Sequence, residues 1–365
     1  MNALPVGYAL HEYRIEKVLG VGGFGLTYLA LDSNLNLRVA VKEYLPSDIA
    51  ARAADQSIGP RSPETADTFG WGKQRFMDES RTVASFRHPN IVRVMRFFEA
   101  NGTAYMVMEF VDGAALGDWV KARRPLSEAQ IVPLVTPLLD GLEVVHKAGF
   151  LHRDIKPGNI YVRDDGTPVL LDFGSARQKS TELTAVVSPG YAPFEQYHTQ
   201  GRQGPWSDIY AFGGVLYWMA VGSQPPEAPA RIRTDQMAPA VQAGDKTRFR
   251  PEFLAAIDWA LHPHEDQRPQ TLAQWREALL TDKPIEAKAQ KTQKTATIQL
   301  PAEVLRRAEQ RLAEYIGPVA GVVVKRAAAK ARDEAELYLL LADEIEDKDE
   351  KKAFVRQAVS ISGKP

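Results

Sequence analysis

The sequence predicts an α+β protein in which a small β-rich lobe precedes a mainly helical lobe and a small all-α domain. Short β-branched runs between residues 13 and 41 predict the first part. Apolar residues at helical spacing over residues 127–145 and a largely apolar stretch over 209–220 predict the second. Lys, Thr, Gln and Ala dominate residues 281–299 and helical periodicity resumes at residue 301, so we expect a separate third part.

The β-rich lobe is predicted to begin with strands near residues 13–18, 27–30 and 38–41. A segment of 36 residues then separates Lys42 from Glu79, which is long for a loop and the start of a helix. Its middle is rich in Ala, Asp, Pro, Gly and Ser. At about residues 46–70 we therefore expect a mobile surface insertion or, alternatively, a docking or regulatory element.

Two helices carry the second lobe in this prediction. Ser127 has the character of an N-cap, and the apolar residues that follow it recur at helical spacing. Pro133 and Pro137 lie inside this pattern, and an interior proline costs about 3 kcal/mol, so the helix is expected to be kinked or to start late. The stretch 209–220 is apolar on nearly every face, which indicates a buried helix.

The C-terminal region is predicted to be a flexible linker followed by a helical bundle. The composition of residues 281–300 has no apolar period. Beyond it, periodic apolar positions predict about four short helices within residues 301–365.

Composition narrows the class of protein. The 365 residues allow more than one domain of roughly 100–200 residues, and the formal net charge of −1 gives no overall attraction to nucleic acid or anionic membrane. Cysteine is absent, which excludes disulfides and cysteine-ligated zinc and is compatible with a reducing cytoplasm. Residues 1–14 do not have the pattern of a secretory signal, and the apolar run 316–324 is shorter than the ~20 residues of a spanning helix. We expect a cytoplasmic protein with no membrane span.

Four motifs suited to phosphate, metal or a hydroxyl proton follow one another along the chain. They are Gly20-Val21-Gly22-Gly23-Phe24-Gly25, Val39-Ala40-Val41-Lys42, His152-Arg153-Asp154-Ile155-Lys156-Pro157-Gly158-Asn159 and Asp172-Phe173-Gly174. In this order they resemble the Hanks-type serine/threonine protein kinases, over about residues 13–280. The resemblance implies a bilobal protein kinase fold, with a catalytic domain at 1–280 (N-lobe about 1–110, C-lobe about 111–280), a linker at 281–300 and a helical domain of unknown role at 301–365.

The glycine-rich loop and Lys42 are the expected phosphate-binding parts. Glycines let the loop lie close over the phosphates and offer backbone N–H groups, and the resemblance implies that Phe24 closes its tip. Lys42 is expected to bind the α- and β-phosphates of ATP and to pair with Glu79 rather than with its neighbour Asp78. An exposed helix charge is the alternative for Glu79. The expected loop residues are Gly20, Gly22, Gly23, Phe24 and Gly25.

The catalytic stretch supplies the remaining chemistry that the resemblance implies. Asp154 would orient the substrate hydroxyl, and Lys156, typical of Ser/Thr-specific members, would stabilise the transferred phosphoryl group. Asn159 and Asp172 carry hard oxygen donors suited to Mg²⁺, with Mn²⁺ as an alternative. His152 is expected to be structural.

The adenine slot is expected to be apolar. The resemblance assigns its walls to Leu19, Thr27, Ala40, Met108 and Tyr161, and its backbone contacts to Glu109 and Val111. Thr27 and Tyr161 depart from the common valine and leucine, and plain core packing is the alternative for these residues.

Regulatory and bracing residues are also implied. Arg153 would dock a phosphate on the activation loop, where Ser180, Thr181 and Thr184 are the candidate phosphosites or ordinary loop hydroxyls. Ser188 stands where the family has a threonine bonded to the catalytic aspartate. Asp208 would brace the catalytic loop, and Glu195 would form a buried ion pair with Arg268.

Two functions remain open at this point. The first is an active serine/threonine kinase with protein substrates, and the second is a pseudokinase or scaffold that has kept the fold. Pseudokinases generally lose the β-strand lysine, the catalytic aspartate or the metal-binding aspartate. This chain has all three, as Lys42, Asp154 and Asp172. The helical domain is expected to bind a partner or dimerise rather than to bind nucleic acid, because its basic cluster at residues 325–332 is followed by an acidic run. The stretch Val41-Lys42-Glu43-Tyr44-Leu45-Pro46 resembles bacterial members.

Overall fold

A computed structural model describes residues 3–172, 187–197, 201–281, 300–316, 320–328, 331, 334–342, 344–345 and 354. The chain divides into two compact units. Among the described residues, the first unit contains 3–172, 187–194 and 203–281, and the second contains 195–197, 201–202 and those from 300 onward. The predicted linker falls almost wholly outside the described residues.

Three antiparallel sheets occur in the first unit. The strands are β1 (Ala9–Leu10), β2 (Tyr13–Gly22), β3 (Gly25–Asp32), β4 (Leu37–Tyr44), β5 (Ala50–Arg52), β6 (Ile58–Pro60), β7 (Val94–Ala100), β8 (Thr103–Glu109), β9 (Gly113–Ala115), β10 (Ile160–Arg163) and β11 (Pro168–Leu170). The largest sheet has the order β1-β2-β3-β4-β8-β7, and the others are β11-β10-β9 and β5-β6. The three strands predicted at the start of the chain are confirmed as β2, β3 and β4.

The helices of the first unit lie mostly after β8. They are α1 (Ala66–Ser85), α2 (Leu116–Lys121), α3 (Glu128–Lys147), α4 (Pro205–Val221), α5 (Ala228–Arg233), α6 (Ala240–Ala243), α7 (Pro251–Ala260) and α8 (Leu272–Leu280). The prediction of a buried helix over 209–220 is confirmed by α4, where residues 207–217 are all buried. This arrangement is the predicted small β-rich lobe followed by a mainly helical one.

Helix α3 begins at Glu128, so of the two expected alternatives the late start is wrong, and the kink stays a prediction. The predicted N-cap is confirmed, since Gln130 Oε1 accepts a hydrogen bond from the backbone N–H of Ser127 at 2.9 Å. Pro133 and Pro137 lie inside the helix. The capped end and a buried apolar face offset the cost of the prolines; that face is Ile131, Leu134, Val135, Leu138, Leu139, Leu142 and Val145.

The insertion after β4 is folded, and the expectation of a mobile surface loop is wrong. It forms the β5-β6 hairpin, in which Ala50 and Ile58 are 0% and 4% exposed. The N–H of Ile58 donates to the carbonyl of Asn101 at 2.7 Å, and the Thr65 hydroxyl donates to the carbonyl of Ile49 at 3.2 Å, just before α1. Composition missed the hairpin because its few buried side chains are small or lie far apart in sequence.

The second unit contains α9 (Ala302–Ile316), α10 (Ala320–Ala328) and α11 (Glu334–Ala342). These helices enclose an apolar cluster, and three of the four predicted helices are thus confirmed. Phe354 is the described residue of the predicted fourth; it is 1% exposed, and its ring lies 5.5 Å from that of Tyr315 and 5.8 Å from that of Tyr338. The cluster includes Val304, Ala308, Leu312, Val324, Leu337, Leu341 and Phe354.

Within the described part of the chain, no helix combines the length and the apolar character needed to cross a bilayer.

Candidate active site

Lys42 lies in the middle of the large sheet. Its strand, β4, pairs with β3 and β8, so that Lys42 stands opposite Thr27 on one side and Met106 on the other. The Lys42 ammonium donates a short hydrogen bond to Oδ1 of Asp172. Burial alone would lower the pKa of Lys42, but Asp172 and Glu79 raise it above the ordinary value. The lysine is therefore held charged among carboxylates.

Helix α1 presents its two neighbouring acidic residues differently. Asp78 is exposed and accepts hydrogen bonds from Arg81 at 2.7 Å and Gln74 at 3.0 Å, both on the same helix. Glu79 is half-buried and near enough to Lys42 to raise its pKa. This geometry supports Glu79 over Asp78 as the partner of the lysine.

The glycine-rich loop is the turn between β2 and β3, with Gly22 opposite Gly25. A Cβ added at Gly20 would meet nothing within 4 Å, so packing does not require glycine there. At Gly25, where φ is +149°, a Cβ would lie 1.8 Å from the carbonyl oxygen of Glu43. Gly25 is therefore a structural requirement, whereas Gly20 leaves open space of the kind that a bound phosphate needs.

The predicted adenine-slot residues lie on adjoining strands. Thr27 stands opposite Gly20, and Ala40 opposite Met108; Ala40 and Met108 are each 9% exposed. The N–H of Glu109 donates to the carbonyl of Arg93 at 2.9 Å.

The other predicted slot residues border this surface from β2 and from the second lobe. Leu19, near the end of β2, is 41% exposed. Val111 is buried and follows β8, and Tyr161 is half-buried on β10. Tyr161 is bulkier than the leucine common in the family, so we predict a slot whose shape differs from the usual one at this wall.

Asp154 is held by three polar neighbours. The Ser188 hydroxyl donates to its Oδ1 at 2.6 Å and accepts from the Lys156 ammonium at 3.0 Å. Lys156 also donates to the two carboxylate oxygens of Asp154, at 3.0 and 2.7 Å. The amide of Asn159 donates to the carbonyl and to Oδ2 of Asp154, both at 2.8 Å. The sequence positions thus meet in one cluster around a single carboxylate.

The predicted donor set for a divalent cation is Asn159 and Asp172. The amide nitrogen of Asn159 donates both of its hydrogen bonds to Asp154. The other atom of that amide, Oδ1 of Asn159, is therefore the one that could bind a metal. The carbonyl of Asn159 accepts from the N–H of Leu171 at 2.8 Å, so the two ligand residues are adjacent in the fold. Amide and carboxylate oxygens fit a hard cation such as Mg²⁺.

Asp172 also carries unusual backbone strain. Its φ is +50°, in the left-handed region that non-glycine residues seldom adopt. Partial burial opposes charge on Asp172, but Lys42 beside it lowers the pKa of the carboxyl below the usual range. The strained backbone and the charged carboxylate coincide at the predicted metal site.

Asp208, at the start of α4, joins the buried helix to the catalytic stretch. Its carboxylate accepts from the N–H groups of His152 at 2.9 Å and Arg153 at 2.8 Å, and it bonds His146 Nε2 at 2.7 Å. Burial opposes its charge, but the bond to His146 and the backbone N–H of Arg153 lower the pKa of Asp208 below the usual range. These bonds hold Arg153 at a φ of +67°.

His152 is fully buried and lies within the fold of the loop. Burial lowers the pKa of its imidazole. Nδ1 accepts from the N–H of Asp154 at 3.3 Å, and Nε2 lies 3.1 Å from the carbonyl of Leu171, which it can reach only as a donor. These partners suit the neutral ring and support the structural role expected for it.

Glu195 and Arg268 are both buried, each 2% exposed. Arg268 donates to the carbonyls of His262 at 2.7 Å and Pro263 at 2.8 Å, and its guanidinium lies 4.6 Å from the ring centre of Tyr210. The ion pair between Glu195 and Arg268 stays a prediction. Phe173 and Gly174 and the predicted phosphosites Ser180, Thr181 and Thr184 lie outside the described residues.

Two contributors were not found from the sequence. His146, on α3, bonds Asp208 across 62 positions of sequence, and a histidine at the end of a helix is no signal by itself. Arg163, on β10 of the second lobe, pairs with the carboxylate of Glu109, at the end of β8 in the first lobe, at 3.1 Å. Long-range pairs of this kind have no local pattern.

Comparison with known proteins identifies the class. A family model described as a protein kinase domain matches residues 13–280. The chain belongs to the protein kinase family. Membership confirms the bilobal kinase fold and implies use of ATP and a divalent metal ion. Residues 303–365 match a second family, described as a domain of unknown function.

Curated relatives come from bacteria among other organisms. This kinase-family chain is 31% identical over 284 residues to serine/threonine-protein kinase PknA of a Nostoc species, covering 74% of this chain and 47% of that protein. It is 32% identical over 287 residues to PknB of Mycolicibacterium smegmatis, covering 74% and 42%. The chain thus spans less than half the length of these relatives. The resemblance to bacterial Hanks-type kinases is confirmed.

Solved structures agree. The structure titled "PpkA-294 apo form" is 42% identical, has a TM-score of 0.68, and the match covers 76% of this chain and all of that one.

Proposed function

We propose that the chain is a serine/threonine protein kinase that transfers the γ-phosphate of Mg-ATP to protein hydroxyl groups. The observation that carries this proposal is the cluster around Asp154, in which Lys156, Ser188 and Asn159 all bond one carboxylate. Lys156 and the Ser188 hydroxyl, which comes from a separate segment, both bond the Asp154 carboxylate. This arrangement suits phosphoryl transfer to an alcohol acceptor.

Phosphoryl transfer asks the protein mainly to position groups and to stabilise charge. Lys42 is held charged by Asp172 and Glu79 and would bind the α- and β-phosphates. The glycine-rich loop would cover the phosphates with backbone N–H groups. Asp154 would orient the acceptor hydroxyl and take its proton, while Lys156 would stabilise the charge on the transferred group.

Asn159 and Asp172 would hold the metal ion. Mg²⁺ bound there would neutralise charge on the β- and γ-phosphates. Hard oxygen donors suit Mg²⁺ and also accept Mn²⁺, so we propose Mg²⁺ as the ion and Mn²⁺ as a substitute.

The adenine base would sit between the strands that carry Ala40 and Met108 and the half-buried Tyr161. Because the N–H of Glu109 is used on Arg93, we assign the base contact of that residue to its carbonyl. The N–H of Val111 would supply the matching donor.

Regulation, partners and location remain proposals. Autophosphorylation at Thr181 or Thr184 would place a phosphate for Arg153, whose backbone is fixed by Asp208. The substrates would be proteins with Ser or Thr, and residues 301–365 would bind a partner or dimerise. We place the protein in the cytoplasm, and the absence of cysteine from all 365 residues is compatible with that location.

The test is phosphate transfer from radiolabelled Mg-ATP to a general protein substrate. We expect the wild type to label it and Asp154→Asn to lose activity by about 100-fold or more, with unchanged nucleotide binding by calorimetry. A wild type that binds Mg-ATP but transfers nothing would instead indicate a pseudokinase. An Asp154→Asn variant as fast as the wild type would contradict the role of that carboxylate.

The phosphosites are tested separately. Phosphopeptide mapping after incubation with ATP should find phosphate between residues 180 and 188, and its complete absence there would contradict autophosphorylation of the loop.

A further inference from the structure

The stretch Glu43-Tyr44-Leu45-Pro46, directly after Lys42, is not used by the proposed chemistry, yet it contacts the elements that would handle phosphate. We propose that the buried ion pair between Glu43 and Arg52 is a positioning device. It ties the end of β4 to the β5-β6 hairpin, and thereby fixes the glycine-rich loop, Lys42 and α1 relative to one another. This inference rests on the proposed function.

The first contact is with the glycine-rich loop. The N–H of Leu45 donates to the carbonyl of Phe24, at the tip of the loop, at 3.0 Å. The carbonyl oxygen of Glu43 packs against Gly25 so closely that a Cβ added to this glycine would lie only 1.8 Å from it. The loop is therefore seated directly on the backbone of residues 43–45, and a shift of this backbone would move its tip.

The second contact is with α1, which carries Glu79. The ring of Tyr44 lies 5.5 Å from that of Phe69 and 5.8 Å from that of Phe76. Gly72 lets the helix approach, because a Cβ there would lie 2.0 Å from the Tyr44 hydroxyl oxygen. Tyr44 thus sets how closely α1 packs against the end of β4.

The third contact is the ion pair itself. Successive side chains of a strand point to opposite faces, so Glu43 projects away from the face that Lys42 occupies. Its side chain is 0% exposed. Oε1 accepts from the Tyr105 hydroxyl at 2.6 Å, and Oε2 accepts from the Tyr28 hydroxyl at 2.7 Å and from the guanidinium of Arg52.

Arg52 comes from the insertion and is almost as deeply buried, with its side chain 4% exposed. It also donates to the carbonyl of Gln56 across the hairpin at 3.0 Å. The hairpin is held in turn by the bond from the Ile58 N–H to the Asn101 carbonyl, and the Asn101 amide donates to the Tyr105 hydroxyl at 3.0 Å. The pair therefore belongs to a closed network of hydrogen bonds.

Stability alone does not account for a buried pair. Apolar residues of similar volume serve a core as well or better, because removing two charges from water is costly. A carboxylate with fixed hydroxyl and guanidinium donors, in contrast, allows one geometry. We read the pair as fixing one arrangement of β4, which is what the adjacent Lys42 requires of its strand.

The test compares four variants of the full-length chain. Arg52→Met removes one partner, Glu43→Gln/Arg52→Met removes both charges and avoids leaving Glu43 unpaired in the core, and Arg52→Lys retains the charge. Arg38→Met is the matched control, because Arg38 lies on the same strand and pairs with Glu16 at the exposed surface, 3.1 Å away. Circular dichroism first establishes the temperature at which each variant is folded.

Two readouts are then taken. Hydrogen–deuterium exchange followed by mass spectrometry measures the amides of α1 against those of α3 and α7, and initial rates measure kcat/KM for ATP and KM for the protein substrate. In Arg52→Met and in Glu43→Gln/Arg52→Met we expect the amides of α1 to exchange about tenfold faster than in the wild type, while those of α3 and α7 exchange at the wild-type rate. We expect kcat/KM for ATP to fall by about tenfold, with KM for the protein substrate unchanged. Arg52→Lys should recover part of both effects, and Arg38→Met should match the wild type.

The outcomes separate the possibilities. Wild-type exchange in α1 of the folded double variant would overturn the proposal, and so would faster exchange spread equally over α1, α3 and α7, since that is a loss of global stability. The exchange measurement uses no nucleotide. If the chain transfers no phosphate, the proposed function is refuted. The exchange rates of the α1 amides still decide whether the ion pair positions this helix.

Discussion

Replacing Ser188 with alanine tests the bonding around Asp154 most directly. The Ser188 hydroxyl donates to Asp154 at 2.6 Å and accepts from Lys156 at 3.0 Å, so it links the proposed base to the proposed charge-stabilising lysine. A hydrogen bond to a charged group contributes about 1.5–3 kcal/mol. The side chains of Asp154 and Lys156 are 20% and 33% exposed, and water can replace part of the lost bonding.

The magnitude follows from those numbers. Asp154 keeps its bonds to Lys156 and Asn159 in the variant, so we count the loss of one charged hydrogen bond. At about 1.4 kcal/mol per factor of ten, Ser188→Ala should lower kcat by roughly tenfold to 100-fold. The Michaelis constant for ATP should stay unchanged, because the hydroxyl of Ser188 bonds Asp154 and Lys156, which lie at the acceptor end of the site.

The assay is steady-state phosphate transfer with varied ATP and protein substrate, together with urea denaturation to compare folding stability. Ser188→Thr is the matched control, since it keeps the hydroxyl, and it should recover most of the activity. A Ser188→Ala variant with wild-type kcat would refute this reasoning. So would a stably folded Ser188→Thr variant as slow as Ser188→Ala, because the hydroxyl would then not be the group that matters.

Three further predictions have definite expected results. Lys42→Met should lower kcat/KM for ATP by about 100-fold or more in the same assay, because it removes a preorganised charge at the phosphates; a small change would contradict its role. Burial lowers the pKa of His152, so below pH 6.5 the unfolded chain binds a proton that the folded chain does not, and the free energy of unfolding should fall by up to about 1.4 kcal/mol per pH unit. In urea titrations between pH 5 and 6.5, the free energy of unfolding should change less with pH in His152→Asn than in the wild type. Equal pH dependence in the two proteins would contradict this role of His152. Gly25→Ala should cost more than about 2 kcal/mol of unfolding free energy, because its Cβ would overlap the Glu43 carbonyl at a positive φ, whereas Gly20→Ala, which meets open space, should cost about 1 kcal/mol or less.

Much of the site could be predicted because its residues sit in short motifs. Lys42, Asp154 and Asp172 are each flanked by residues that serve the same task, so their order along the chain was informative before any contact was known. The strands and α4 were predictable for a similar reason, since their periodicity reflects one local environment.

What could not be predicted depends on contacts between distant segments. The composition of the insertion indicated a loop, and nothing in it indicated that Arg52 would meet a glutamate inside the large sheet. His146 gave no signal, because its partner Asp208 lies 62 residues away. The late start considered for α3 was wrong because the cost of Pro133 was weighed without the burial of the apolar face.

The bridge between Glu109 and Arg163 connects β8 to β10 across the segment that joins the two lobes. Any rotation that opens the cleft about that segment must stretch a salt bridge whose side chains are 29% and 28% exposed. Charges at this level of exposure are screened by dissolved ions. Opening and closing of the cleft, and with them the rate at which nucleotide leaves, are therefore expected to respond to ionic strength, and Arg163→Met should weaken the part of that response that comes from this bridge.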